Sequence, residues 1–135
     1  MSITLTDQDK LTLRTAAYGA VSLMAAAGAA GSPHKVATHG AIALASATGL
    51  VGHVLAEWPK GMKLNGKSVA GMADQVLPAL TAAMSLLKEQ APAEADNFRS
   101  TVIVSIEAAT RTQQGEPSPT LAEMARKITE ALDAA

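Results

Sequence analysis

At 135 residues the chain has room for one domain and one core, and with 48% hydrophobic but only 2% aromatic residues that core has to be filled by aliphatic side chains, Met and above all Ala. A net charge of −1 supplies no overall field for nucleic acid or an anionic membrane, so non-specific nucleic-acid binding is disfavoured. The absence of Cys excludes thiol catalysis, disulfides and Cys-based metal sites.

The first residues, MSITLTDQDK, are acidic and polar where a secretory signal carries a basic region and then an apolar run, so a cytoplasmic protein is expected. Thr6 and Asp9 have the spacing of an N-cap with a carboxylate at the third helical position, and Asp7 adds negative charge where the helix dipole favours it. The spacing predicts a first helix to about Ala30. Its larger apolar residues, Leu13, Val21, Leu23 and Met24, share faces with Ala16, Ala17 and Ala20. A second stripe, Gly19, Ser22, Ala26 and Ala29, contains only small residues and lets another helix approach closely.

Gly31, Ser32 and Pro33 read as a helix stop followed at once by a restart, which predicts a second helix over residues 33 to about 57. Between Arg14 and Glu57 the only formal charge is Lys35, so a helix over residues 36–56 has no solvent face and has to be covered on all sides. Its small stripe, Ala37, Ala41, Ala45, Thr48, Gly52 and Ala56, lies opposite Leu44, Val51 and Leu55. So short a turn sets the first two helices antiparallel, seam against seam, and makes this Ala/Gly-rich pair the expected centre of the fold. Residues 36–56 also have the length of a membrane span. Their seven Leu, Ile and Val residues are opposed by two His, two Thr, one Ser and three Gly. At about −2 to −4 kcal/mol from the aliphatics, insertion is marginal, so burial within protein is the preferred reading and a membrane partner is not expected.

The stretches LRTAAYGAVSLMAAA (13–27) and SPHKVATHGAIALASATGLVGHVLAE (32–57) resemble small, uncharacterised helical proteins of actinobacteria. The resemblance implies a bacterial source and brings no catalytic motif with it.

Residues 58–67, WPKGMKLNGK, are irregular, broken by Pro59, Gly61 and Gly66. A third helix is predicted from about Ser68 to Gln90, where Val69, Met72, Val76, Leu80, Ala83 and Leu87 recur at intervals of three and four. Pro78 lies inside it and has no N–H for the Asp74 carbonyl, which predicts a kink or a break near Leu77. Pro92 opens a fourth helix that runs through Ala95, Phe98, Val102, Ile106 and Ala109 towards Gly115. Within it TVIVSI, residues 101–106, is β-branched enough to be a strand by propensity, but helical patterning on both sides favours a buried helix. Ser118, Pro119 and Glu123 announce a fifth, with apolar face Leu121, Met124, Ala125, Ile128 and Leu132 and outer pairs Glu123 with Lys127 and Arg126 with Glu130.

Residues 61–68, GMKLNGKS, satisfy the phosphate-loop pattern G-x-x-x-x-G-K-[ST] letter for letter, which would put Lys67 on phosphate and Ser68 on Mg²⁺. That pattern works at the end of a buried parallel strand, with TVIVSIE as a loose stand-in for a second, metal-supporting one. Here Glu57, Trp58, Pro59 and Lys60 precede it, and the alternation of strands and helices that such a sheet needs is missing. The loop still gathers Lys60, Lys63, Lys67 and Ser68 beside Trp58, the sole tryptophan, and these five residues are the candidate binders of a phosphate or an acidic partner. On a helix His39 and His53 lie about 21 Å apart, and His34 and His39 point about 140° away from each other, so no shared metal site is expected. No G-x-S-x-G elbow occurs, and Ser22, Ser46, Thr48 and Ser105 sit in helix interiors, so no catalytic residue is assigned.

The expectation is therefore an all-α, single-domain bundle over residues 1–135, with about five helices around a central Ala/Gly-rich one. Its function is read as a non-enzymatic interaction or structural module without a cofactor, with a homodimer through the first two helices or a protein partner. One alternative is a small apolar ligand or lipid held between helices near Tyr18, Met24, Met72 and Met84; another is nucleotide or phosphate binding through GMKLNGKS.

Overall fold

The first helix begins where the Thr6 and Asp9 spacing places it. In the computed structural model, which describes residues 5–27, 49–56, 69–110 and 119–135, the Asp9 amide donates to Thr6 Oγ1 at 3.0 Å and the Thr6 amide donates to Asp9 Oδ2 at 3.1 Å. This reciprocal box satisfies two donors that a helix start leaves open. From it runs α1 (Asp7–Ala27), followed by α2 (Gly49–Ala56), α3 (Val69–Gln90), α4 (Pro92–Thr110) and α5 (Pro119–Asp133). The architecture is all-α, with no strand among the described residues.

α1 packs against each of the other four helices, most extensively against α3. Leu13, Ala16, Ala17, Ala20, Leu23 and Met24 are fully buried, while Leu11, Thr15, Tyr18 and Ser22 form one partly exposed stripe at four, three and four residues. The small residue that matters most is Gly19: a Cβ there would lie 2.5 Å from Val76 Cγ2, so the backbone of α1 meets the side chains of α3 at a distance only glycine permits. Gly19, one residue of the small stripe of the first helix, thus meets α3, whereas the expected partner of the stripe was the second helix. Of that second helix only α2 is described, and it touches α1 and α4. Residues 33–48, with most of their small stripe, lie outside the described residues.

α3 is continuous through Pro78, without the expected break. Pro78 is exposed, so its ring and the Asp74 carbonyl it fails to serve are on the outward side, while Val76, Leu80, Ala83, Met84 and Leu87 are buried against α1, α4 and α5. Packing along the inner face holds the helix through the missing bond. Ala91 alone joins α3 to α4. Its amide donates to the Leu87 carbonyl at 2.6 Å, and its own carbonyl accepts from the amides of Glu94 and Ala95 at 2.8 and 3.1 Å, ending one helix and starting the next.

The β-branched run 101–106 is helical, with Val102, Ser105 and Ile106 buried beside Phe98, the sole phenylalanine. Burial of one face outweighs strand propensity here. α5 buries Leu121, Met124, Ile128 and Leu132. On its outer face Arg126 pairs with both Glu123 and Glu130, so Glu123 engages Arg126 where the spacing suggested Lys127. The end of α5 is tied from α3 and α4: Thr81 Oγ1 donates to the Ala131 carbonyl at 2.7 Å, Lys88 Nζ donates to the Ala135 carbonyl at 2.6 Å, and Arg99 bonds Asp133 through Nε at 2.8 Å and Nη2 at 3.3 Å.

Substituting Gly19→Val should cost about 1 to 3 kcal/mol by overpacking against α3, measured by urea unfolding. Adding Val76→Ala should return part of that loss, whereas additive costs would mean that the two residues do not meet. Hydrogen bonding to Arg99 holds the Asp133 carboxyl below its ordinary value, and the Thr6 amide does the same for Asp9. A carboxyl lowered in the folded state stabilises above its unfolded pKa and loses that contribution as pH falls through the folded one. Acid unfolding should therefore set in below about pH 4. Asp133→Asn should lower stability at neutral pH by less than about 1 kcal/mol and flatten the acid limb.

Candidate functional site

The candidate binders Trp58, Lys60, Lys63, Lys67 and Ser68 lie outside the described residues, as do His34 and His39. Their flanks are described. α2 ends at Ala56 and α3 begins at Val69, so the GMKLNGKS match is preceded by a helix where a phosphate loop needs a strand, and 101–106 is helical too.

Both ends of α2 are held by polar side chains. The last carbonyls of a helix have no donor of their own, and the end of the dipole there is negative. Arg14 Nε donates to the Val54 carbonyl at 3.2 Å and the Tyr18 hydroxyl donates to the Leu55 carbonyl at 2.7 Å. Arg14 and Tyr18 are four residues apart on α1 and so share a face. Burial raises the Tyr18 pKa, an effect the Arg14 charge opposes. At the other end Gly49 has φ +73°, and a Cβ there would lie 2.8 Å from Glu94 Oε1. Asn97 Nδ2 donates to Glu94 Oε2 at 3.1 Å, so a carboxylate on α4 is steadied beside the positive end of the α2 dipole.

A second feature is a shallow open groove of about 340 Å³ between α1 and α3. α1 contributes Gln8, Leu11, Thr12 and Thr15, and α3 contributes Gln75, Pro78, Ala79 and Ala82. None of the eight carries a formal charge. Thr12 Oγ1 donates to the Gln8 carbonyl at 3.0 Å, leaving its lone pairs as acceptors. The groove therefore combines Leu, Pro and Ala side chains with amides and hydroxyls, and it can receive an apolar or weakly polar surface.

Sequence reasoning did not single out this groove, because it is assembled from two helices some sixty residues apart; Leu11 and Thr15 on one stripe, with Pro78 and Ala82 on another, were its only trace. The side chains expected around an apolar ligand are placed otherwise. Met24 and Met84 are buried in the core, Met72 packs against it, and the Tyr18 hydroxyl is engaged by Leu55. Among the described residues no group of three or more His, Asp and Glu side chains is placed to hold a metal ion. One helix among them, residues 70–90 of α3, is long and apolar enough to cross a membrane, with a mean hydropathy of 1.2. In the fold that helix lies against α1, α4 and α5. Comparison with protein-family models, with curated proteins and with solved structures returns no match.

Gly49→Ala should destabilise the protein by about 1 to 2 kcal/mol, because Ala in the left-handed region is strained even when the Glu94 side chain swings aside. Urea unfolding gives the value, and an unchanged midpoint would show that the start of α2 does not need this conformation.

Proposed function

We propose that the chain is a non-enzymatic helical interaction protein of the bacterial cytoplasm, a single five-helix bundle completed by the Ala/Gly-rich second helix, and that it acts as a homodimer through the groove between α1 and α3. The observation that supports this is the chemistry of the groove. Its lining is uncharged, whereas the outer face of α5 carries Glu123, Arg126, Lys127 and Glu130. The same face offers a larger group, Leu11, and small ones, Ala79 and Ala82. A two-fold contact needs both on one surface, since each copy presents to the other the patch it receives. Small residues in addition let a neighbouring helix approach closely.

A small apolar ligand is the second reading, favoured by a volume near the lower end of the range for ligand pockets, about 300 to 1,000 Å³. Phosphate binding through Lys67 and Ser68 is supported only by the letters of the motif. Sedimentation and native mass spectrometry of the gently purified chain at micromolar concentration separate the three. The dimer reading expects twice the chain mass for the wild type and a helical monomer for Ala79→Arg. A wild type that is monomeric throughout overturns it, a retained extra mass points to the ligand, and a thermal shift with Mg²⁺ and ATP points to the loop.

A further inference from the structure

The groove between α1 and α3 has an uncharged lining, but its ends carry charge. Asp7 lies one turn before Leu11 on α1, Asp74 lies one turn before Pro78 on α3, and Glu89 lies two turns beyond Ala82 on the same face. All three carboxylates are exposed, and none is in an ion pair among the described residues. The other charges of the two helices are directed elsewhere. Arg14 donates to the Val54 carbonyl of α2, and Lys10 precedes it by one turn on the same row. Lys88 donates to the Ala135 carbonyl at the end of α5, and Asp9 accepts from the Thr6 amide. What α1 and α3 place at the ends of the groove is therefore negative charge alone.

We infer, given the proposed homodimer, that its association is gated by ionic strength: the uncharged lining draws two copies together, and the carboxylates at its ends push them apart until salt screens them. α1 and α3 run antiparallel, since Gly19 meets Val76 while Gln90 Nε2 lies 3.5 Å from Asp9 Oδ2. Asp7 and Glu89 therefore stand at one end of the groove and Asp74 at the other. A two-fold axis along the groove lays α3 of the second copy on α1 with like ends together, and Asp7 of each copy then comes opposite Glu89 of the other. An axis across the groove lays α3 on α3 with the ends reversed, and Glu89 of each copy then comes opposite Asp74 of the other. Both arrangements set carboxylate against carboxylate, and symmetry doubles the effect. Exposed charges act over a screening length of about 30 Å at 10 mM salt and about 3 Å at 1 M, so the repulsion is felt in the first condition and nearly gone in the second.

Sedimentation equilibrium of the full chain, at micromolar concentration in roughly 10 mM and roughly 1 M NaCl, tests this. The wild-type dimer should be about three- to tenfold tighter in the higher salt. Since salts excluded from protein surfaces also strengthen apolar burial, the charge effect is isolated by combining Asp7→Asn, Asp74→Asn and Glu89→Gln, with circular dichroism to check that the variant stays helical. This variant should dimerise more tightly than the wild type in the lower salt and lose most of the salt response. A wild-type dimer whose affinity salt leaves unchanged or weakens, or a variant that keeps the whole response, would overturn the gating and leave the dimer standing. Chains that are monomeric in both salts, wild type and variant alike, would overturn the homodimer and the gating with it.

Discussion

The structure depends on how near two backbones come at Gly19 and Val76. A protein with one Trp, one Tyr and one Phe has few large side chains to bury, and each Ala removes little area from water. Close packing compensates, because dispersion and the exclusion of water act over many short contacts when helices lie near one another. Gly19 sets that approach on α1, with Ala16, Ala17 and Ala20 buried on the flanking rows. α1 is consequently buried over most of its circumference and can serve α2, α3, α4 and α5 at once.

Small side chains bring helices close but specify their rotation and register weakly. Polar ties at helix ends supply that information. Arg14 and Tyr18 reach the last carbonyls of α2, Thr81 and Lys88 reach carbonyls at the end of α5, and Arg99 takes Asp133 there in a two-point pair. Each tie uses a carbonyl that has lost its helical donor or a side chain at that end, so little desolvation is spent without return. The exposed pairs contribute modestly, whereas the buried bond from Arg14 lies where an unpartnered carbonyl would be costly.

The surface divides along the same lines. α5 turns Glu123, Arg126, Lys127 and Glu130 to solvent, an arrangement suited to a covering helix. The face shared by α1 and α3 instead presents amides, hydroxyls and small apolar groups without charge. Pro78 lies in that face and is exposed, inside α3 where the Asp74 carbonyl lacks its helical donor. A surface of this kind is less costly to desolvate than the charged outer face of α5.

Where the deciding interactions are local, the sequence by itself was sufficient. The box between Thr6 and Asp9, the starts at Pro92 and Pro119, the apolar face of α5 and the helical state of 101–106 all rest on neighbours within about a turn or on a repeat that one segment carries alone. The five candidate binders from Trp58 to Ser68, drawn from charge and motif in one stretch, lie outside the described residues. Tertiary structure decided what depends on residues far apart in the chain: that Gly19 meets Val76, that α3 continues past Pro78, that Arg14 and Tyr18 close α2, and that Gln8 to Thr15 and Gln75 to Ala82 make one groove. In an alanine-rich chain many helix faces are nearly equivalent, so periodicity can say which residues are buried but not against whom; that choice is made by the few contacts, such as Gly19 on Val76, that only one packing allows.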